Sequence, residues 1–335
     1  MIDNQPVPET LARQSRKIPI QERSVLVGDV IVVNGYGVNR NALKQRFAEG
    51  DYEAHETAHF LLLTRETEPK TILVHWFTPE ELNADIKHFL MYELQPSGLL
   101  KQPSDFGKLV SGIIGSFFSK DAHAAWHEYG AKTLQRFLLF LSTAHTPTVF
   151  NFYATIGVFA NLYQRVLELC VGESFLDAGC ESGMLALLVA ERIPFMTNVR
   201  GVDIQSDMLT IAKELAEEWH LTQVQFAQAD LLNKDFSSVG QFDTVAALHV
   251  IEHFTQTDMY RVLANLVKVT TKRLILAVPY EKEPETIYEH KQVFTRATLE
   301  AVGQWCLEQW GGTGRMWCEE CEGGLLLIER GSPTK

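Results

Sequence analysis

Ser174–Gly183, SFLDAGCESG, constrains the fold more than any other stretch of the chain. The apolar run through Phe175 and Leu176 ends in Asp177. Gly179 and Gly183 then bracket a tight turn, and Met184 through Ala190 read as the start of a buried helix. A strand that breaks on glycines into a helix presents backbone N–H groups at the strand's C-terminal edge. About 20 residues on, a second apolar run reaches Asp203 beside Ile204, where a carboxylate is expected to accept from a pair of ribose hydroxyls. Val224–Ala229 is a third strand, ending in Asp230 and followed by Leu231. This acid is suited to an adenine amino group. Phe242–His249 is a fourth, running into Val250-Ile251-Glu252-His253. Taken alone, the Gly179/Gly183 turn also permits a nicotinamide-type dinucleotide site.

This series resembles the class I S-adenosylmethionine (SAM) methyltransferases. In that superfamily DxGxGxG, an acid after the second strand, an acid after the third, and FDxV…HxxEH follow in this order. The resemblance covers about residues 173–330. It implies an α/β fold, a Rossmann-like class I methyltransferase sheet, and SAM as cofactor. Asp177, Gly179, Glu181, Gly183, Asp203, Ile204, Asp230 and Leu231 are the cofactor-binding set it assigns. Glu181 departs from the pattern, standing where the central glycine is usual. It questions a close backbone approach there, and it offers a carboxylate to the cofactor's ammonium.

Upstream, the period changes twice. Residues 1–20 are polar and proline-punctuated and read as a disordered N-terminus. Residues 21–78 read as a small α+β accessory domain, with strands at Ser24–Val27, Val30–Val33, Phe60–Thr64 and Thr71–Phe77 and a short helix near Arg40–Glu49. Residues 79–172 read as a helical lid and connector, opening on a Thr78-Pro79 helix start that runs to about Leu94. A further helix is expected to begin at Thr146-Pro147. Most aromatics of this segment read as core, with Trp126, His127, Tyr129 and Tyr153 as candidates to face an acceptor. Residues 173–335 read as the SAM-dependent methyltransferase domain that the resemblance implies.

The chain has 335 residues, enough for two domains, and a net charge of −12. That charge opposes binding along a nucleic-acid backbone. No apolar run is long enough for a membrane span, and a cytoplasmic location is the expectation. Five cysteines are an odd, scattered set. The Cys318/Cys321 pair lacks the second pair of ligands a zinc site needs and reads as packed residues. The sequence does not set the oligomeric state.

Methyl transfer from a sulfonium requires alignment of donor and acceptor, exclusion of water, and deprotonation of a weakly acidic acceptor. His249, Glu252, His253 and His290 stand after the fourth and fifth strands, where the methyl group is expected to point. A histidine can serve as general base. Alternatively, His249, Glu252 and His253 at i, i+3, i+4 would share one face of a helical turn and hold a divalent metal with His290. That pattern resembles the ExxEH…H site of small-RNA 2′-O-methyltransferases. A structural role for the same residues stays open. LHVIEH at 248–253, AVPYEKEPETIYEH at 277–290 and EGGLLLIER at 322–330 together look like bacterial methyltransferases acting on the glucose chain of mycofactocin, with Glu289 where glycine is usual. The resemblance thus implies O-methylation of a small-molecule or glycan acceptor. C-methylation of a quinone-like acceptor and a non-catalytic SAM-binding protein are the rivals.

Overall fold

The computed structural model describes residues 23–48, 52–65, 68–118, 121–143 and 155–331. The expected disordered N-terminus, the helix start at Thr146-Pro147 and Tyr153 lie outside these residues. The chain forms two compact units, and the division falls between Arg136 and Phe137, with Thr155 and Ile156 counted in the first unit.

In the first unit, β1 (Ser24–Val27), β2 (Val30–Asn34), α1 (Arg40–Ala48), β3 (Glu53–Glu56), β4 (Phe60–Arg65) and β5 (Glu68–His75) form one layer. Its strand order is β1-β2-β5-β4-β3. The β2–β5 pair is parallel and the others antiparallel. Strand β3, EAHE, is exposed at all four positions. It carries no hydrophobic alternation, so its sequence gives no strand signal, and backbone pairing to β4 alone defines it. Its acids keep this sheet edge charged, and Glu56 pairs with Lys44 of α1.

The helical segment continues as α2 (Asp85–Leu94), α3 (Pro103–Gly115) and α4 (Ala122–Ser142). The helix expected from Thr78 is split. Thr78 N–H donates to Glu81 at 2.8 Å and closes a single 3-10 turn, Pro79–Glu81. Asn83 then accepts from Asp85 N–H at 3.0 Å and starts α2 afresh. Trp126, His127 and Tyr129 lie in α4 on the first-unit side. Tyr129 is buried and meets the Trp126 ring edge-on at 5.4 Å.

His75, at the end of β5, is fully buried. Its Nε2 lies 2.8 Å from Ser116 Oγ, which donates onward to the Ile113 carbonyl at 2.7 Å. Nδ1 has no partner. Burial drives the imidazole pKa from 6.5 down to about 3, so the folded chain holds it neutral. The unfolded chain takes up a proton below 6.5 and the folded chain does not. This group's contribution is therefore complete above 6.5 and is lost as pH falls toward 3. At about pH 4.5 the loss is about 3 kcal/mol relative to neutral pH. Urea unfolding of the wild type and His75→Gln at both pH values measures it: the stability gap between the two proteins should narrow or reverse at the acid value. A gap that does not change with pH would refute the assignment.

The second unit takes the last residues of α4, most of α5 (Thr155–Leu169), and then alternates β6 (Ser174–Ala178), α6 (Met184–Arg192), β7 (Asn198–Asp203), α7 (Ser206–Glu218), β8 (Val224–Gln228), β9 (Phe242–Leu248), α8 (Gln256–Val269), β10 (Thr270–Val278), α9 (Arg296–Gln309), β11 (Gly314–Glu320) and β12 (Gly324–Arg330). The sheet order is β11-β12-β10-β9-β6-β7-β8. Five strands are parallel, and β12 and β11 close one edge antiparallel. This is the Rossmann-like sheet expected. Strands β6, β9 and β10 are buried on both faces because helices cover the sheet on both sides, so they read as unbroken apolar runs. In α6, Met184 through Ala190 are all buried. Chain order reverses at β6, whose neighbours are β7 and β9. That switch point opens a crevice at the strands' C-terminal ends.

Candidate active site

At the switch point the chain hooks back under β7. Gly179 N–H and Cys180 N–H both donate to the Val202 carbonyl, at 2.8 and 3.0 Å. Gly179 sits at φ +81°, and a Cβ there would lie 2.6 Å from a Val250 methyl. Gly183 sits at φ +75° as N-cap of α6, and its Cβ would lie 2.5 Å from the Phe226 ring. Both positions therefore require glycine twice over, by conformation and by space. Glu181 resolves its own anomaly. It takes the left-handed conformation a glycine would take, at φ +46°, and its N–H donates to Asp203 Oδ2 at 2.8 Å. The backbone of the turn is kept at a strain of about 1 kcal/mol.

The acids of this edge are bound chiefly by main chain. Asp177 is buried and accepts from Ala186 N–H at 3.2 Å. Burial first, and the nearby Asp203 charge second, push its carboxyl up to about 7, against the Ala186 hydrogen bond. Asp203 accepts from Glu181 N–H on one oxygen and from Gln205 N–H, at 2.9 Å, on the other. Beside it Ile204 is exposed at 62%. Asp230 is exposed, and its Oδ1 accepts from Leu232 N–H at 2.8 Å. Leu231 is buried next to it. Four carboxylates thus gather along one sheet edge. An edge tipped by acids suits hydroxyls, amines and cations better than a pyrophosphate.

The ends of β9 and β10 bring the other candidates together in a different way from the expected helical face. His249 is left-handed, at φ +54°, and residues 251–253 form a 3-10 turn. His249 Nδ1 stands 3.4 Å from Glu252 Oε1. The group that converges is Glu252, His253 and His290, one ligand atom from each lying within 4.8 Å of the others. Among the described residues this is the one such cluster of three or more, and His249 is outside it. The His253 and His290 rings meet edge-on at 4.9 Å. His290 Nδ1 lies 2.9 Å from Glu281 Oε2. An ionised carboxylate only accepts, so Nδ1 is the donor in this contact. Glu289, the second departure from an expected glycine, again adopts the left-handed conformation, at φ +62°.

Glu252 is fully buried, and neither carboxylate oxygen has a hydrogen-bond partner among the described residues. A buried carboxylate without donors is costly unless a cation or proton meets it. The His253 pKa is lowered, chiefly by burial and further by His290, with the Glu252 and Glu289 charges opposing.

Two aromatics read as core from the sequence stand at this crevice. Phe159 and Tyr163 lie one turn apart on α5. The Phe159 ring is 5.2 Å from His249 and 5.7 Å from Tyr163. Burial, with the charges of Asp177, Glu181 and Cys180 beside it, raises the Tyr163 phenol well above its ordinary value. Their i, i+4 spacing was visible, but the same spacing also fits a core stripe. Cys318 and Cys321 are half-buried free thiols at the β11–β12 hairpin.

Residues 175–273 match a family model described as a methyltransferase domain. This domain belongs to the class I SAM-dependent methyltransferase superfamily. The chain is 29% identical over 119 residues to the magnesium-protoporphyrin O-methyltransferase of Rhodobacter capsulatus, covering 36% of this chain and 50% of that one. It is 27% identical over 144 residues to the 2-phytyl-1,4-naphtoquinone methyltransferase of Thermosynechococcus vestitus, covering 43% of this chain and 57% of that one. The chain thus spans about half the length of these curated relatives. A solved structure of the methyltransferase domain of a bacterial Hen1 protein is similar at a TM-score of 0.40 and 20% identity, covering 49% of this chain and 94% of that chain. No helix among the described residues is long and apolar enough to cross a membrane.

Proposed function

We propose that this chain is a SAM-dependent methyltransferase acting on a hydroxyl of a small molecule or glycan. The observation that carries the proposal is the division of the sheet edge into two halves. Carboxylates tip β6, β7 and β8, and an acid–imidazole cluster tips β9 and β10. The first half fits SAM: Asp203 for the ribose hydroxyls, Asp230 for the adenine amine, and Asp177 with Glu181 for the positive charge. When bound, SAM supplies a methyl group already activated on a sulfonium. The protein's own work is then orientation, exclusion of water and removal of one proton.

His253 suits the last task. With its pKa lowered, it is neutral at physiological pH and can accept the hydroxyl proton as the methyl arrives. His290, its tautomer set by Glu281, orients or shares the proton. Phe159 and Tyr163 form an apolar side to the crevice. A variant of this reading places a divalent cation on Glu252, His253 and His290, supported by the buried Glu252 carboxylate, whose oxygens accept no hydrogen bond among the described residues. There, the cation would lower the pKa of the acceptor hydroxyl. C-methylation of a quinone-like acceptor is the second reading, favoured by the naphthoquinone methyltransferase relative. A non-catalytic SAM-binding role loses its main support, because Glu181 keeps the turn in its glycine-like conformation.

Isothermal titration with SAM tests the first half of the proposal. Asp203→Ala should weaken SAM binding by about 2–3 kcal/mol, roughly 30- to 150-fold, with the fold intact. Unchanged affinity in a folded variant would remove Asp203 from the site. Transfer of labelled methyl from SAM to a panel of sugars, phenols and quinols tests the second half, and the position of the label separates oxygen from carbon.

A further inference from the structure

We infer that Asn265 is a positioning residue for the adenine end of the cofactor site, acting through the turn that carries Asp230. The inference rests on the reading that Asp230 meets the adenine amino group. Asn265 lies in α8, on a face whose neighbours Met259, Val262, Leu263 and Leu266 are buried and apolar. It is itself only 7% exposed. A carboxamide in such a place costs free energy unless its hydrogen bonds are made. Here they are made to the loop after β8. Nδ2 donates to the Leu231 carbonyl at 2.8 Å and to the Asn233 carbonyl at 2.9 Å. Both partners only accept, so the amide orientation is fixed by the network, and both N–H bonds are committed.

The same turn is closed from above by Asp230. Its carbonyl accepts from Asn233 N–H at 3.0 Å, and its Oδ1 from Leu232 N–H at 2.8 Å. On the strand side, Ala229 N–H donates to the Asp203 carbonyl at 2.9 Å, tying the two acid-bearing strand ends together. Asp230 therefore sits on an exposed loop whose main chain is fixed at both ends. Asn265 is the side chain that holds the far end. Without it, the Leu231 carbonyl loses its donor and the Asn233 carbonyl keeps only Phe236 N–H, at 3.1 Å, so the loop is freer to shift Asp230 relative to Asp203. A shift of about 1 Å is enough to spoil a hydrogen bond to a rigid base.

The test is titration with S-adenosylhomocysteine and with S-inosylhomocysteine, which replaces the 6-amino group by a carbonyl oxygen. A carboxylate at this position accepts from the first and repels the second, so the wild type should prefer the adenine ligand by at least about tenfold. Asn265→Leu, which keeps the apolar packing, should bind S-adenosylhomocysteine about tenfold more weakly and reduce the preference to within about threefold of unity. Asn265→Ser, with one donor, should fall between, and it decides the matter if the leucine variant does not fold. Asp230→Ala should cost less in the Asn265→Leu background than in the wild type. A folded variant that retains the full preference, or that weakens both ligands equally, would show a merely structural role and overturn the inference. A wild type that binds both ligands equally would overturn it too, while leaving SAM binding in place. A wild type that binds neither would bring down the methyltransferase reading itself.

Discussion

Alanine in place of His253 or His290 is expected to lower methyl transfer by roughly 10²–10⁴-fold while leaving SAM binding nearly unchanged. A sugar or alcohol hydroxyl is a very weak acid, so its proton must be removed or its charge stabilised as the methyl arrives. The two imidazoles meet at 4.9 Å beside a buried carboxylate, at the strand ends next to the acid-tipped half of the edge. The base and cation versions separate on chelation. With His253 as a simple base, EDTA has no effect, and the rate rises with pH through one ionisation displaced below 6.5. With a cation, EDTA abolishes activity, Mg²⁺, Mn²⁺ or Zn²⁺ restores it, and Glu252→Gln is as damaging as the histidine variants. If both alanine variants bind SAM and turn over normally, neither version stands.

Asp177→Asn is expected to strengthen the folded state and weaken the cofactor site at once. The Asp177 carboxyl is raised from 3.8 to about 7, so between these values the folded chain holds a proton that the unfolded chain has lost. This group's contribution therefore falls as pH rises through that window. Once the carboxyl is ionised, near pH 8, it costs the fold about 4 kcal/mol, an expense asparagine does not incur. Below about pH 4 the two proteins should be equally stable on this account. A positively charged cofactor returns part of that cost by pairing with the carboxylate. Asp177→Asn should then bind SAM roughly 10- to 100-fold more weakly at pH 8. In the wild type, SAM affinity should decline by up to about tenfold per pH unit below 7. Urea unfolding at the two pH values, paired with titration of SAM, measures both halves. Equal stability of variant and wild type at pH 8 would contradict the raised carboxyl, and equal SAM affinity would contradict its pairing with the ligand.

Most of the second unit was legible because its signals are local. Apolar runs ending in acids, glycines at the first turn and the 3.6-residue periods between them fix strand, turn and helix in order. A parallel α/β sheet is the arrangement such an alternation favours. Asp177, Asp203 and Asp230 could be picked out for the same reason, since each falls within two residues of the end of a readable strand. The first unit was legible only where its strands alternate or run apolar. Strand β3 was invisible because its side chains are all exposed and, Ala54 apart, polar, and the split after Thr78 was hidden because a capping signal states where a helix begins and not how far it continues.

What the tertiary structure alone decided is the composition of the second half of the site. HxxEH looks like one helical face, but His249 turns left-handed and leaves the set. Glu252 and His253 keep His290, the partner the sequence already offered from the loop after β10, and the structure removes only His249. Contacts between loops on neighbouring parallel strands depend on sheet order, and sheet order is set by packing across the whole layer. The same holds for the two glutamates at glycine-type positions, whose backbone conformation is imposed by surrounding hydrogen bonds against their own preference. It holds also for Phe159 and Tyr163, since an aromatic stripe on a helix does not say which side of it faces a core and which faces a crevice. Sequence determined the edge on which chemistry can occur. Tertiary structure decided which side chains meet there.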